Sequence, residues 1–452
     1  MTIDMLPDVA LLKIFDLYVR EEQIQAWHTL VHVCRKWRNV VFGSPCRLNL
    51  RLHCTTKTPV RETLDVWPLL PIVVWGYGNE MWDMDNIIAV LEHNNRICQL
   101  DLINIQSSRF EKVLAEPFPA LTRLRLRPRD ETAPVDPASF LGGSAPHLRT
   151  LILDCVPFRG YPKLLLSATQ LVRLDLWRIP YSGYITPEAM ANCLSVLNKL
   201  ERLRIGFGSP RCRPDRNSQR PPPLTRTLLP VLTELRLFGV SEYLEDLMAR
   251  IEAPLLDELA INFFHQLIFN TPQVTQFIRR TPKFKALDEA RVYFYDGNVW
   301  ITLVQAFNKV LELGILCNQS DCQLSSLAQV CSSSFPQAFI PAVEHLYILD
   351  GTSSRPYWQN DIEGSQWLEL LRPFVAVTDL YISLEFAPRI VPALQELVGE
   401  REVEVLPVLR TLYLEEPLPS GPVQAIVGQF VTSRQLSNHP VVVSPWERKS
   451  LE

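Results

Sequence analysis

The chain has 452 residues, a formal net charge of −4 and 47% apolar residues. That length allows two or three ordinary domains, or one small domain plus a long array, and the balance fits a folded soluble protein with no bulk charge signal for nucleic acid. No apolar run approaches the roughly 20 residues needed to span a bilayer. The start, Met1-Thr2-Ile3-Asp4, has neither the basic nor the apolar region of a secretory signal. The ten cysteines are scattered and mostly lie in apolar stretches. They read as reduced core residues of a cytoplasmic or nuclear protein, not as a disulfide framework.

Helix spacing dominates residues 4–42. Leu11, Ile14, Phe15 and Tyr18 form the stripe of an amphipathic helix, and Pro7 suits its first turn. After the polar break Arg20-Glu21-Glu22-Gln23, the residues Ile24, Trp27, Leu30, Val33, Trp37 and Val40-Val41 predict two further short helices. A unit this small buries little surface and is expected to lean on a partner, on the following chain, or on both.

From about residue 46 the period changes to two. Leu48, Leu50 and Leu52 alternate with polar residues, Leu70–Trp75 is a second strand candidate, and Asp85 is placed to cap a helix over Ile87–Glu92. Residues 46–95 are expected to be irregular opening turns of an array.

The array itself, residues 96–416, is written in eleven triplets with a large aliphatic residue at positions 1, 4 and 6. They start at Ile97, Leu121, Leu148, Leu171, Leu200, Leu232, Leu256, Val310, Val343, Val377 and Leu409. Most starts lie ~23–34 residues apart, a period at which each unit must stack on its neighbours to bury its apolar face. Each triplet is a predicted strand, so the fold class is an α/β solenoid, a curved arc with parallel strands. Leu287-Ala290-Val292 fits the one double-length gap as a degenerate twelfth unit. Proline stands two residues before position 1 at Pro119, Pro146, Pro230, Pro254, Pro341 and Pro407, where it is expected to end a helix and pre-set an extended entry. Position 9 is irregular, so unit lengths should vary. Residues 206–226, rich in Gly, Pro, Ser and Arg, predict a mobile surface insertion. Residues 417–452 lose the repeat and are expected to cap or trail the array.

Positions 2, 3 and 5 of each strand are expected to point to the concave, solvent-facing side, and positions 3 and 5 carry the pattern. The early ones hold Arg123, Arg125, Arg173, Arg202, Arg204 and Arg236, the middle ones are acidic, and three late units place Tyr347, Tyr381 and Tyr413 at position 5. Arginines suit a phosphorylated or acidic segment, and tyrosines are good anchors. The alternative is that mixed charge on this face only keeps it soluble. No chemistry competes with binding. His28 and His32 lack further ligands, Cys317, Cys322 and Cys331 have the wrong spacing for zinc, and the glycine pairs at 76–78 and 206–208 lack a phosphate-loop context. No nucleophile with a base is legible, so no enzyme, metal or cofactor is expected.

The first 45 residues resemble an F-box through Leu6-Pro7, Leu11 with Ile14-Phe15, and Val33-Cys34-Arg35-Lys36-Trp37-Arg38. Coupled to units with the period of a leucine-rich repeat, the chain resembles the fungal F-box proteins with a leucine-rich-repeat-like solenoid. The resemblance implies a substrate receptor of an SCF-type ubiquitin ligase. It implies that Leu6, Pro7, Leu11, Ile14, Leu30, Val33 and Trp37 face a Skp-family adaptor, which links to a cullin-RING ligase, while the repeats hold a protein substrate. A plain helical cap on the solenoid, or a repeat scaffold outside ubiquitin transfer, is the alternative.

Overall fold

The computed structural model describes all residues except 1–5, 22–25, 44–49, 58, 67–68, 78–82, 106–113, 130–139, 157–160, 213–224, 267, 286, 306–307, 318–319, 334–341, 352–363, 397–403, 417–420 and 449–452. The chain divides into two compact units. The first comprises Met1–Ile185 and Asn192–Arg211, and the second Thr186–Ala191 and Cys212–Glu452.

The first unit opens with three helices, α1 (Asp8–Glu21), α2 (Ala26–Val33) and α3 (Arg35–Gly43). The Pro7 carbonyl accepts the N–H groups of Ala10 and Leu11 at 3.0 and 3.1 Å, so the proline starts α1 without losing a bond. Leu11, Phe15, Leu30 and Val41 form the small core. The Phe15 and Trp37 rings lie 4.7 Å apart. Lys36 Nζ donates to the Leu6 carbonyl at 3.1 Å and Arg38 Nε to the Val31 carbonyl at 3.0 Å, which ties α3 to the ends of its neighbours.

Seven strands follow: β1 (Leu50–His53), β2 (Ile72–Tyr77), β3 (Ile97–Ile105), β4 (Arg123–Pro128), β5 (Thr150–Asp154), β6 (Arg173–Ile179) and β7 (Arg202–Phe207). Each pairs in parallel with the next, so β1 and β2 belong to the same ladder as the repeats proper. Helices α4 (Val60–Val66), α5 (Met84–Leu91) and α6 (Tyr161–Ser167) connect strands, and α7 (Pro187–Leu194) is divided between the units. The cap of α5 is Asp83, not Asp85. The Asp83 side chain accepts from the N–H groups of Asp85 and Asn86, because the helix starts at Met84, one turn earlier than the apolar pattern suggests.

The position 1, 4 and 6 side chains are buried in every triplet, none more than 4% exposed. Burial of each such side chain contributes roughly 1.5–3 kcal/mol. The prolines before position 1 act differently from the extended entry expected. The N–H of Leu121 donates to Phe118, of Leu148 to Ala145, of Leu232 to Leu229, of Leu256 to Ala253 and of Leu409 to Leu406, at 3.1–3.4 Å. Each proline is thus the second residue of a tight turn, where its fixed φ is already correct. Pro341 lies outside the described residues.

At the far end of three strands the chain turns through a left-handed residue at position 8: Asn104 (φ 56°), Cys155 (φ 58°) and Arg178 (φ 50°). For residues with a Cβ this costs roughly 1–2 kcal/mol. Gly206 and Phe207, expected to open a mobile insertion, instead complete β7, and Phe207 and Cys212 are buried. The glycine belongs to the strand because its missing Cβ admits the Trp177 ring. Residues 213–224 of that stretch lie outside the described residues.

The second unit holds a short parallel pair, β8 (Thr227–Leu228) with β10 (Ile251–Glu252), and a main sheet. The main sheet contains β9 (Glu234–Gly239), β11 (Glu258–Phe264), β12 (Glu289–Tyr295), β13 (Asn298–Gln305), β14 (Asn308–Leu316), β15 (His345–Asp350), β16 (Asp379–Ile382), β17 (Thr411–Glu415) and β18 (Val442–Trp446). Helices α8 (Ser241–Arg250), α9 (Pro272–Arg280), α10 (Ser320–Ser333), α11 (Gly364–Leu371), α12 (Ala387–Gln395) and α13 (Pro422–Leu436) lie between strands. Residues from 421 onward thus supply a further helix and one more parallel strand on β17.

The all-parallel expectation fails at one place. β12, β13 and β14 form an antiparallel meander, in which β14 pairs with β11 while β12 pairs with β15. Leu287-Ala290-Val292 therefore does not lie between the Leu256 and Val310 units. The β14 register also differs, since Leu259 and Ile261 pair with Leu311 and Leu313, not with Leu313 and Ile315. Both faces of β14 are largely apolar, so spacing alone did not distinguish them. The missed signal is the Asp296-Gly297 step between two alternating apolar runs, a hairpin signature. Gly297 takes φ 84° there.

Candidate functional site

In the α1–α3 group the seven adaptor-facing candidates divide by burial. Leu11 and Leu30 are core residues, Leu6 and Trp37 are half-buried, and Pro7, Ile14 and Val33 are exposed. Ile14 at 44% and Val33 at 54% exposure are joined on α1 by Val9 at 62% and Leu17 at 53%. Four large aliphatic side chains left in water on two short helices are unusual for a unit with so small a core.

The face of the first sheet opposite the core is built by register. Position 3 and its equivalents run Arg51, Val73, Gln99, Arg123, Thr150, Arg173, Arg202 from β1 to β7. No carboxylate interrupts that row. Position 5 runs His53, Trp75, Asp101, Arg125, Ile152, Asp175, Arg204, and it carries the counter-charges. Asp101 lies 3.7 Å from Arg125. Asp175, only 5% exposed, lies 3.2 Å from Arg173 and 4.0 Å from Arg204. Burial raises the Asp101 carboxyl above its ordinary range, and Arg125 and Arg123 oppose the shift.

The strand ends add a third charged group. Arg178 clasps Asp154 with two bonds of 2.7 and 2.8 Å, and Arg127 approaches the same carboxylate at 3.5 Å. The Arg204 guanidinium lies over the Trp177 ring, 4.1 Å from its centre, while Trp177 rests against Gly206, where a Cβ would come within 2.4 Å of the ring. At the other edge, the Trp75 ring meets that of His53 at 4.5 Å, tilted by 48°, and receives Arg51 at 5.7 Å. Burial and the Arg51 charge lower His53 to about 4, so it is neutral at physiological pH.

The strands of the second unit have the opposite character. Glu234 and Glu258 lie side by side in register, and both bind Arg236 at 2.7 Å. Arg236 is thus occupied within its own sheet. Glu312 is raised chiefly by burial. Arg291 and Glu289 form an ion pair, and His345 Nδ1 lies 3.1 Å from Asp379. Along the position 5 row, Arg291, Tyr347, Tyr381, Tyr413 and Ser444 are aligned. The three tyrosines stack at 4.1 and 4.3 Å, and Trp446 meets Tyr347 and Tyr381 edge-on at 6.2 and 5.7 Å. Burial raises the Tyr347 and Tyr381 hydroxyls above their ordinary value, so both stay protonated.

Register brings together Arg123, Arg125, Arg173, Arg202 and Arg204 in the first unit, and Tyr347, Tyr381 and Tyr413 in the second. Sequence spacing missed Arg51, Arg127, Arg178, Trp75, Trp177 and Trp446, because they fall outside positions 3 and 5 of the eleven triplets. Cys54 and Cys193, held as thiols by burial at about 12 and about 11, are core groups and not nucleophiles. Among the described residues no helix is long and apolar enough to cross a membrane.

The sequence matches no protein-family model and no curated protein. Among solved structures, the chain is similar to the leucine-rich repeat-containing protein LegL7 from Legionella pneumophila. The identity is 11% and the TM-score 0.28, over 84% of this chain and 97% of that one.

Proposed function

We propose that this chain is the substrate-recognition subunit of an SCF-type ubiquitin ligase, acting in the cytoplasm or nucleus and without catalysis of its own. In this reading α1–α3 are an F-box that docks a Skp-family adaptor and, through it, a cullin-RING ligase. The open sheet faces hold a protein substrate. The observation that carries the reading is the exposed set Val9, Ile14, Leu17 and Val33 beside a core closed by Leu11, Phe15 and Leu30. An obligate partner would cover such a surface.

The second reading is a repeat scaffold that uses the same helices for stability or localisation. The Phe15–Trp37 contact favours it, since that core closes without a partner. The test is capture of the tagged full-length chain, wild type beside an Ile14→Asp/Val33→Asp variant. Both sites are exposed, so the fold is retained, whereas Leu11→Asp would charge a fully buried position. Adaptor and cullin recovered with wild type alone support the ligase role. Recovery with both proteins rejects the docking surface, and adaptor without cullin supports the scaffold.

A further inference from the structure

We infer that the position 3 row of the first sheet receives an extended acidic segment of a partner protein. The inference rests on the reading of this face as a protein-binding surface and names the chemistry it selects.

The chain as a whole has net charge −4, yet the open face of this sheet, strand ends included, carries eight arginines (51, 123, 125, 127, 173, 178, 202 and 204) against Asp101, Asp154 and Asp175. The excess is local and runs against the average. A face that needed polarity only for solubility would have no reason to collect one sign.

The three carboxylates lie on position 5 and at the strand ends, where they bind Arg125, Arg173, Arg178 and Arg204 and hold those heads in place. Position 3 has no carboxylate on any of its seven strands, and Arg123 and Arg202 stand exposed on it. Arg204 is further fixed by its indole partner. Guanidinium groups restrained in this way lose less freedom when they fork onto a carboxylate or phosphate.

A nucleic-acid backbone carries charge at every step and would bring phosphates onto Asp101 and Asp175 as well as onto the arginines. A peptide crossing the strands can place acidic side chains over Arg123, Arg173 and Arg202 and leave neutral ones between. Six strand intervals span about 29 Å, the length of about nine extended residues. Serine phosphorylation in such a segment supplies the same chemistry with a second negative charge.

The test uses the full-length chain and a fluorescein-labelled 12-residue peptide with glutamate at every third position. Its companions are a glutamine-substituted control, a phosphoserine version and a 12-nucleotide single-stranded DNA, all read by fluorescence anisotropy. The glutamate peptide is expected to bind at least ten-fold tighter than the glutamine control, the phosphoserine peptide tighter still, and both to weaken as salt rises. Arg123→Glu/Arg202→Glu should remove that preference with an unchanged circular dichroism spectrum, since both residues are exposed. Tyr413→Ala, in the second unit, should leave it intact. Equal binding of the glutamate and glutamine peptides overturns the inference, as does indifference to the charge reversal. Tighter binding of the oligonucleotide overturns it in favour of nucleic acid. Adaptor capture by the charge-reversed protein separates the two readings, because it depends on α1–α3 and not on this row.

Discussion

The rings of Tyr381 and Tyr413 lie 4.3 Å apart and 3° from parallel. Tyr347 stacks on the other side of Tyr381 at 4.1 Å, so the central ring has both faces covered by neighbours. Tyr381→Ala removes two stacks and the edge contact of Trp446, a loss of about 1–3 kcal/mol. Tyr381→Phe keeps the rings and should cost less than about 1 kcal/mol. Chemical denaturation of the two variants, with hydrogen exchange in β15–β17, separates stacking from the hydroxyl.

Asp154 tests the strand-end network. Arg178 holds a left-handed backbone at φ 50° while its fork closes on Asp154. Arg178→Ala loses the fork and keeps the backbone cost, whereas Arg178→Gly loses the fork but relieves the strain. The glycine variant should therefore be about 1 kcal/mol more stable than the alanine variant, although glycine is usually the poorer choice. Equal stabilities would show that the left-handed turn is free of strain.

Gly206 tests the seat of Trp177. A methyl group at 206 would meet ring carbons at 2.4 and 2.5 Å, and nothing but the ring can move. Gly206→Ala should cost about 1–3 kcal/mol through overpacking. By displacing the indole it should also free Arg204 and weaken acidic-peptide binding. Denaturation and anisotropy on the same sample check both effects.

Glu245 on α8 tests pH dependence. Its carboxylate accepts the N–H groups of Gln273 and Val274, both at 2.8 Å, and so caps α9, whose own N-cap residue Thr271 makes no side-chain cap bond. Burial raises Glu245 to about 7 from 4.5, against the lowering effect of those two bonds. A raised folded value means the folded state holds the proton more tightly. Below about 4.5 both states are protonated, so the stability held by the protonated carboxyl is fully present and does not vary with pH. As pH rises from 4.5 to 7 the unfolded chain ionises first, and stability falls. Glu245→Gln should flatten that part of the curve, so the difference in melting temperature between variant and wild type should grow from pH 4.5 to 7 and then level. A constant difference would contradict the assignment.

The core was legible because period alone decides it. A large aliphatic residue at positions 1, 4 and 6 has one way to be dry, and the structure buries every triplet. The tyrosine ladder followed from the same register. Three things were not legible. Ion pairs such as Arg125 with Asp101 join residues 24 apart, and their partners depend on which strands become neighbours. Glu245 caps a helix that begins 27 residues later, a contact no local rule anticipates. The β14 register was misread because both its faces are apolar, and a period of two with no polar face has no phase. The adaptor-facing residues show a further limit. Leu11 and Val33 look alike in sequence, yet one is core and the other stands in water.

The β12–β14 meander has a consequence for how the chain can change length. Through it Ile261, Leu313, Ile301 and Val292 line up in register, so the inward row of β11 continues into β12 as if nothing stood between them. Two strands running in opposite directions enter and leave together, and the chain returns to the edge from which it departed. The sheet is widened there by a splice that leaves the phase on both sides untouched. At this seam three strands follow one another with no helix between them, so the ladder is lengthened by a hairpin alone.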